Sequence, residues 1–365
     1  METNGDGEVA YDRARAVKEF DESKLGVKGL VDSGITAVPR FFIHPPESRP
    51  KPRPATKPKP AADLIPTVDL SAPRSTIVDQ IKRASSTFGF FQIVNHSVPY
   101  STITDTIRSI RAFHELPAEE KSKFYTRGIS NGVAYSSNVD LLVSKAASWR
   151  DTLTVRLGPE MAAEEAIPEV CRAEVLRWGE EVAKIGEVLM EFLSEGLGVE
   201  ATRLKTMTCL GAKIMVGHYY PFCPNPDLTV GITTHTDPGV LTVLMQNESG
   251  LQVKYGEGES EEWVDVQPLE GGALVINIGD ILQIMSNKEY KSVQHRVLAN
   301  PNKEPRVSVA VFFNPSDRES LFGPLPELVT EDKPAEYKQF QLSDYMKRFF
   351  SKELDGKTLA GYYKA

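Results

Sequence analysis

The stretch from about Lys213 to Phe313 is a succession of short apolar and β-branched runs separated by Gly, Pro, Asn or acidic residues. The runs are KIMVGHYY, GITTHTD, VLTVLMQ, LQVKY, EEWVDVQ, ALVINIGD, DILQIMS, KSVQHRVLAN and RVSVAVFF. Such runs, bounded by turn residues, are typical of β-strands. Nine of them without an intervening helix predict an antiparallel sandwich or barrel.

The rest of the chain is predicted to be mainly helical. Apolar residues recur with helical period, or turn signals bound a helix, over 75–88, from about 100 to 113, over 169–196 and in YKQFQLSDYMKRFFSK near the C-terminus. DLIPTVDLS (63–71) and FGFFQIVNHSVP (88–99) are typical of strands. We therefore expect an α+β fold, with a double-stranded β-helix (jelly-roll) core, an N-terminal helical layer and a C-terminal helix.

Composition divides the chain into four regions. They are an N-terminal lead with a Pro-rich connector (1–60), a mainly helical region (61–210), the jelly-roll domain (211–320) and a C-terminal helical segment (321–365). Residues 45–60 hold seven prolines and no large apolar residue. This composition is typical of a stiff polyproline-like spacer, and the alternative is a docking motif for a proline-recognition domain.

The lead is too apolar for a free tail. Ala14, Val17 and Phe20 recur at helical spacing and predict a short helix, whereas GVKGLVDSGITAVPRFF (26–42) predicts turns and extended chain. The larger apolar side chains of the lead are expected to pack on the β domain or over the mouth of its pocket: Val17, Phe20, Leu25, Leu30 and Val31.

Charge and cysteine content exclude several classes of protein. The formal net charge is −8, which disfavours a nucleic-acid binder because phosphate recognition needs a surplus of Lys and Arg. Cys171, Cys209 and Cys223 form no CxxC pair, and their odd number argues against a disulfide framework. No run reaches the roughly 18 apolar residues of a membrane helix. We expect a cytoplasmic protein, monomeric by default, that acts on a small molecule without nucleic acid or membrane.

Two histidines and one carboxylate stand where they could share an ion. His235 and Asp237 are two residues apart, so on a strand both side chains leave the same face. His295 lies in another strand of the same region. Two histidines and a carboxylate form a facial triad that leaves three positions open, the arrangement of non-haem Fe(II) oxygenases. A His-x-Asp pair alone is a weak signal, since many such pairs only form hydrogen bonds.

The strand after His295 strengthens this interpretation. Arg306 and Ser308 share a strand face, and a guanidinium beside a hydroxyl can bind a carboxylate because Arg offers a planar bidentate fork. The alternative for Arg306 is a buried structural ion pair. Beside a metal triad, the pair fits a dicarboxylate co-substrate that reaches from iron to Arg306.

Together these motifs resemble one family. HTD, QHRV and RVS resemble the His-x-Asp, His and Arg-x-Ser pattern of plant 2-oxoglutarate/Fe(II)-dependent dioxygenases, and HYYPFCP (218–224) resembles the Asn-Tyr-Tyr-Pro-x-Cys-Pro segment of that family. IPTVDL and FGFFQIVNHSVP are similar to its N-terminal segments. The lead resembles the ACC-oxidase-homolog-like subgroup, which is similar to benzoxazinoid-glucoside hydroxylases and deacetoxyvindoline hydroxylases.

The resemblance implies a role for each matching residue. His235, Asp237 and His295 would bind Fe(II), while Arg306, Ser308 and Tyr220 would hold the distal carboxylate of 2-oxoglutarate. His218 departs from the family, which usually has Asn there; its N–H could donate to the co-substrate carboxylate at iron, or it could be a core histidine. Residues expected to line the substrate pocket, each with plain core packing as the alternative, are Phe312, Thr152, Thr154 and Val216.

The family reaction couples oxidative decarboxylation of 2-oxoglutarate, which consumes O2 and yields succinate and CO2, to attack on a substrate C–H bond. The resemblance therefore implies a hydroxylase, demethylase or desaturase of a plant specialised-metabolism compound, such as a benzoxazinoid glucoside, an alkaloid or a phenylpropanoid. Ascorbate is the expected reductant. One alternative is an ACC oxidase that forms ethylene, but the lysine that those enzymes carry ahead of the first ligand histidine is Val216 here. Another is a non-catalytic jelly-roll binding protein. The intact metal triad and the intact carboxylate clamp, formed by Arg306 and Ser308, disfavour this alternative.

Overall fold

The protein is described by a computed structural model over residues 11–50, 65–138, 141–142, 144–256, 258, 261–351 and 359–365. Its helices in these ranges are α1 (Arg13–Ser23), α2 (Gly26–Asp32), α3 (Arg74–Thr87), α4 (Tyr100–His114), α5 (Ala118–Ser122), α6 (Glu169–Gly196), α7 (Arg203–Thr206), α8 (Asp280–Met285) and α9 (Leu342–Ser351). Its strands are β1 (Thr67–Asp69), β2 (Phe90–Val94), β3 (Val133–Ser136), β4 (Asp151–Gly158), β5 (Ala212–Tyr220), β6 (Val230–His235), β7 (Leu241–Gln246), β8 (Leu251–Tyr255), β9 (Glu262–Asp265), β10 (Leu274–Ile278), β11 (His295–Leu298), β12 (Arg306–Asn314), β13 (Leu321–Phe322) and β14 (Phe340–Gln341).

Two facing sheets form the jelly-roll core. The larger sheet has eight strands in the order β1-β2-β10-β7-β12-β5-β4-β3, and the smaller has four in the order β6-β11-β8-β9. Apolar side chains from both sheets pack between them, among them Phe90 and Val275 from the larger sheet and Val253 and Val297 from the smaller. The predicted α+β jelly-roll fold is confirmed. The larger sheet also takes β1 to β4 from the chain before residue 211.

Strand alternation gives β12 two different faces. Val307, Val309, Val311 and Phe313 are buried in the main core together with residues of α3, α4 and α6, so the helical layer covers this side of the sheet. The residues between them, Arg306, Ser308, Ala310 and Phe312, therefore point to the other face, toward the smaller sheet. The functional candidates on β12 lie inside the jelly roll for this reason.

Two local predictions are wrong. DILQIMS is not a strand, because Asp280–Met285 forms helix α8. Ile281, Leu282, Ile284 and Met285 are all buried, and in so short an apolar run periodicity does not distinguish a buried strand from a buried helical turn. The segment from Gly26 is likewise helical over Gly26–Asp32, where turns and extended chain were expected.

Helix α2 owes its position to a carboxylate far along the chain. Asp151, at the start of β4, is fully buried and accepts hydrogen bonds of 2.8 Å from the backbone N–H groups of Val27 and Lys28 and from the Ser137 hydroxyl. A seven-residue helix is unstable alone, and a carboxylate at its N-terminus satisfies otherwise unpaired donors. This contact ties the lead to the larger sheet.

The lead packs on the β domain, as its apolar content predicts. Val17, Phe20, Val27 and Phe42 are buried in one cluster with Trp149, and the Phe42 and Trp149 rings meet edge to face at 4.9 Å. Leu30 and Val31 pack against this cluster at its edge, whereas Leu25 is exposed, contrary to expectation. Most of the Pro-rich connector lies outside the described residues, so its role as a spacer or docking motif stays a prediction.

Gly26 offers a direct test of this docking. Its φ is +71°, and a Cβ there would lie 2.6 Å from the Tyr135 hydroxyl and 2.7 Å from the Asp151 carboxylate. Gly34 has a similar φ of +79° but open space around the same position. Alanine at either position has the same energetic cost of a left-handed backbone conformation. Gly26→Ala also overpacks the contact with Tyr135 and Asp151, so its free energy of unfolding is expected to fall by about 1–3 kcal/mol more than that of Gly34→Ala. Thermal melting of the two variants measures the difference, and equal melting temperatures would contradict the docking contact.

Candidate iron and 2-oxoglutarate site

Two histidines and an aspartate converge at the edge of the smaller sheet. His235 and His295 are direct partners in the β6–β11 register, and Asp237 follows two residues after His235. The Nε2 atoms of both histidines lie 3.6 Å from Asp237 Oδ1. Each Nδ1 faces the backbone carbonyl two residues earlier in the chain, that of Thr233 at 2.8 Å and that of Val293 at 3.3 Å. The three potential ligand atoms therefore face one another.

This donor set fits a divalent transition metal. Bonds from such ions to nitrogen and oxygen donors are about 2.0–2.2 Å long, so atoms 3.6 Å apart can share one ion. Burial is the main cause that lowers the pKa of His235 below its usual range, and the neighbouring His295 lowers it further. The neutral imidazole that this favours is the form that binds a metal. The Nδ1 contacts orient both rings with Nε2 toward the ion, which is the usual arrangement around metal-binding histidines.

The second carboxylate oxygen of Asp237 is held by two side chains. Thr242 Oγ1 donates to Asp237 Oδ2 at 2.5 Å, and Asn277 Nδ2 donates to the same atom at 2.7 Å. Thr242 and Asn277 are cross-strand partners on β7 and β10, and both are buried. These bonds leave Oδ1 as the oxygen that faces the two histidines.

Arg306 lies buried on the inner face of β12 without a counter-ion. Its Nη1 donates to Ser308 Oγ at 3.2 Å, its Nη2 to Gln246 Oε1 at 2.7 Å and its Nε to the Glu248 carbonyl at 3.2 Å. All three acceptors are neutral, and among the residues that the structure describes Arg306 forms no ion pair. The predicted alternative of a structural ion pair is therefore not what these residues show.

Tyr220 and His218, the other two residues predicted to hold 2-oxoglutarate, lie beside Arg306 and Ser308 in the β12–β5 register. Arg306 lies opposite Tyr220, and Ser308 lies opposite His218. The Arg306 guanidinium lies 4.8 Å from the centre of the Tyr220 ring and interacts electrostatically with Tyr220. The buried Tyr220 hydroxyl has no hydrogen-bond partner of good geometry among the described residues. Burial, together with nearby guanidinium groups, lowers the pKa of His218 well below its usual range. The unsatisfied Tyr220 hydroxyl suggests that a ligand completes this site.

The four pocket candidates share that inner face. In the β4–β5 register Thr152 lies opposite His218 and Thr154 opposite Val216, while Phe312 is two residues beyond Ala310, the β12 partner of Val216. Thr154, Val216 and Phe312 are half-buried, but Thr152 is buried, and its hydroxyl lies 3.0 Å from His218 Nδ1. Thr152 thus orients His218, whereas the other three side chains remain partly accessible.

Sequence reasoning missed four polar residues of this face: Arg150, Thr242, Gln246 and Asn277. Thr242 and Asn277 were visible as polar residues inside the apolar runs VLTVLMQ and ALVINIGD. A polar residue in a buried strand needs a partner, so each could have been marked as a candidate, although the partner itself depends on how the strands pair.

Comparison with known proteins agrees with this geometry. A family model described as the 2OG-Fe(II) oxygenase superfamily matches residues 211–315, and one described as the non-haem dioxygenase in morphine synthesis N-terminal matches residues 65–172. The 1-aminocyclopropane-1-carboxylate oxidase homolog 3 of Arabidopsis thaliana is 41% identical over 97% of this chain and 97% of its own length. This chain belongs to the 2OG-Fe(II) oxygenase superfamily. Homolog 4 of the same plant is 44% identical over 95% of this chain and 97% of its own length.

Solved structures of this oxygenase superfamily share the fold. JOX2, crystallised with 2OG, Fe and JA, superposes with a TM-score of 0.82 at 28% identity, over 93% of this chain and 97% of its own. The rice dioxygenase for auxin oxidation superposes with a TM-score of 0.68 at 26% identity, over 82% of this chain and 100% of its own.

Several predictions are thereby confirmed. The oxygenase is an oxidoreductase of the 2-oxoglutarate-dependent class, and Fe(II) and 2-oxoglutarate are its cofactor and co-substrate. Its similarity to the ACC oxidase homologs agrees with the subgroup that the lead predicted. Within the described residues, every helix is too short or too polar to cross a lipid bilayer. Ascorbate dependence, the monomeric state and the cytoplasmic location stay predictions.

Proposed function

We propose that this oxygenase hydroxylates a plant specialised-metabolism small molecule, such as a benzoxazinoid glucoside, an alkaloid or a phenylpropanoid, and releases succinate and CO2. His235, Asp237 and His295 hold Fe(II), and Arg306, Ser308 and Tyr220 hold 2-oxoglutarate. The observation that carries the proposal is the convergence of both histidine Nε2 atoms on one oxygen of Asp237, inside the same jelly roll as a buried Arg306 that forms no ion pair with any described residue.

His235, Asp237 and His295 would supply three ligands to an iron ion, and an octahedral ion would then have three positions open. Bound Fe(II) supplies the activation of O2 that links decarboxylation of 2-oxoglutarate to attack on a C–H bond. Thr242 and Asn277 orient Asp237, and the carbonyls of Thr233 and Val293 orient the two histidines. Because hydrogen bonds to the atoms that face away from the ion already orient all three side chains, ion binding requires no large rearrangement of the chain.

The clamp residues hold the other end of the co-substrate. Arg306 offers a charged fork, Ser308 a hydroxyl and Tyr220 a buried phenol whose hydroxyl bonds none of the described residues. The distal carboxylate of 2-oxoglutarate neutralises Arg306 and satisfies Tyr220. His218, whose Nδ1 lies against the Thr152 hydroxyl, presents Nε2 to the co-substrate carboxylate at iron. The half-buried Phe312, Thr154 and Val216 line the place of the prime substrate.

Two measurements test this function. The first is substrate-free succinate formation with Fe(II), 2-oxoglutarate and ascorbate, which a non-catalytic binding protein would not support. The second is a mass-spectrometric screen of plant aromatic glucosides, alkaloids and phenylpropanoids. A gain of one oxygen indicates hydroxylation, loss of a methylene unit demethylation and loss of two hydrogens desaturation. Ethylene release from 1-aminocyclopropane-1-carboxylate without any need for 2-oxoglutarate would instead favour the ACC oxidase alternative.

The orienting role of Thr242 predicts a graded effect on metal affinity. Thr242→Val removes the donor to Asp237 Oδ2 while keeping the side-chain volume, whereas Thr242→Ser keeps the hydroxyl. Since loss of an outer hydrogen bond to a metal ligand costs about 10–100-fold in metal affinity or activity, Fe(II) binding should weaken by that factor in Thr242→Val and much less in Thr242→Ser. Anaerobic Fe(II) titration measures both. Equal affinities in the two variants would show that this hydroxyl does not position Asp237.

A further inference from the structure

A second buried guanidinium on the inner face has no counter-ion. Arg150 directly precedes β4, and the β4–β5 register that pairs Thr152 with His218 places Arg150 on the same face as Thr152. Its side chain is 5% exposed. Nη1 donates to the Gly231 carbonyl at 3.0 Å, while the buried Nε has no hydrogen-bond partner in the part of the chain that the structure describes. Among the described residues Arg150 forms no ion pair.

Such a group is costly unless an anion joins it. A buried charge needs a partner of opposite sign, and one backbone carbonyl does not neutralise a guanidinium. The titratable groups that interact electrostatically with Arg150 are the imidazoles of His218 and His235, and neither can carry a negative charge. Arg306, the other buried cation here, also acts on His218. No described group on this face supplies the missing negative charge.

The co-substrate does not supply it either. In the loaded site, Asp237 and one carboxylate of 2-oxoglutarate balance the two charges of Fe(II), and the other carboxylate balances Arg306. The positive charge of Arg150 remains. Nη1 donates to the Gly231 carbonyl, and the edge formed by Nε and Nη2 has no hydrogen-bond partner among the described residues. This edge suits a bidentate carboxylate.

We propose that Arg150 binds a carboxylate of the prime substrate, so that the substrate is a carboxylic acid held by the Nε–Nη2 edge. This rests on the proposed function and narrows its substrate class. The neighbouring Trp149 is buried against Phe42, and its indole N–H donates to the Phe222 carbonyl at 3.1 Å. Arg150 therefore extends from a fixed backbone, which favours one orientation of the bound acid.

The test compares acids with their neutral carboxamides. The probes are phenylacetate, cinnamate and indole-3-acetate, each beside its amide, titrated calorimetrically into the protein loaded with Fe(II) and 2-oxoglutarate without O2. A charge-assisted bond to a carboxylate predicts that at least one acid binds about tenfold or more tightly than its amide. This wild-type measurement stands even if a variant fails to fold.

The variants assign that preference to one residue. Arg150→Gln is expected to remove the advantage of the acid, and Arg150→Lys to restore part of it. Arg156→Gln is the matched control, since Arg156 lies on β4, the strand that follows Arg150, and is partly exposed and bonded to the Ile129 carbonyl. This variant should retain the full preference for the acid.

Three outcomes overturn the inference. If no acid binds the wild type more tightly than its amide, or if none of the probes binds detectably, the proposed carboxylate site is excluded. A preference that survives in Arg150→Gln would place the site elsewhere. A tenfold loss of 2-oxoglutarate affinity in Arg150→Gln would assign Arg150 to the co-substrate. If the wild type with Fe(II) does not bind 2-oxoglutarate at all, the proposed function itself is wrong, which the first titration reveals before any acid is added.

Discussion

Asp237→Ala, His235→Ala and His295→Ala are each expected to reduce succinate formation below detection. Loss even of an outer partner of a metal ligand costs about 10–100-fold, so loss of a direct ligand should exceed a hundred-fold. Asp237 has the largest expected effect, because its Oδ1 is the atom that both histidine Nε2 atoms approach at 3.6 Å. The measurement is substrate-free succinate formation at saturating Fe(II), paired with Fe(II) titration.

Two further variants separate loss of the metal from loss of the fold. Asp237→Asn keeps the shape of the side chain, and Thr242 retains an oxygen to which it can donate, but the negative charge is gone. Asp227→Ala removes an exposed aspartate near the same sheet and should leave activity and melting temperature unchanged. Near-wild-type turnover in any of the three triad variants would contradict the assignment of iron ligands.

The inner face of the jelly roll was predictable where two residues sit on one strand. Arg306 and Ser308 are two residues apart on β12, and strand geometry alone places them on a common face. The same spacing did not give the position of Asp237, because β6 ends at His235 and Asp237 lies in the loop after it. The approach of His295 to His235 depends on the β6–β11 register. Only the resemblance to a family, and not the spacing, indicated that these strands would be neighbours.

Contacts between distant segments were not predictable in this way. Asp151 stabilises the first turn of α2 by accepting two of its backbone N–H groups. Because Asp151 lies in β4, more than a hundred residues away, the local sequence of α2 did not indicate this helix. Arg150 stands beside it in SWRDT, where a charged residue normally indicates solvent exposure. Arg150 is nevertheless buried, next in sequence to Trp149, whose ring packs against Phe42 of the lead. Tertiary packing thus creates both the unexpected helix and the unpaired cation.

The short helix α8 illustrates a limit of periodicity. Its residues are buried on several sides, so the apolar pattern lacks the one-sided stripe of a surface helix. The backbone N–H of Asp280 donates to the Asp237 carbonyl at 2.8 Å. The misassigned segment therefore supports the loop that carries the aspartate of the candidate metal site.

Arg306→Ala is expected to raise the KM for 2-oxoglutarate about 10–100-fold, because a charge-assisted bond to a carboxylate contributes roughly 1.5–3 kcal/mol. Arg306→Lys should recover only part of this affinity, since an ammonium keeps the charge but cannot form the bidentate fork. Ser308→Ala removes one neutral hydroxyl from the same clamp and should have a smaller effect. We expect 2-oxoglutarate to bind most weakly to Arg306→Ala, more tightly to Arg306→Lys and most tightly of the three to Ser308→Ala.

Binding and turnover must be measured separately for this prediction, because Arg306 also supports its surroundings. Its guanidinium bonds Gln246 and the Glu248 carbonyl, and Gly250 lies against its side chain, so Arg306→Ala also removes packing. Thermal melting in the absence of ligand reports that loss. Titration with 2-oxoglutarate in the presence of Mn(II) measures binding to the clamp. The rise in melting temperature that the co-substrate causes should be smaller in Arg306→Ala than in the wild type. A co-substrate affinity that stays unchanged in a folded Arg306→Ala protein would show that the carboxylate of 2-oxoglutarate is held elsewhere, and Arg150 would then be the first residue to examine.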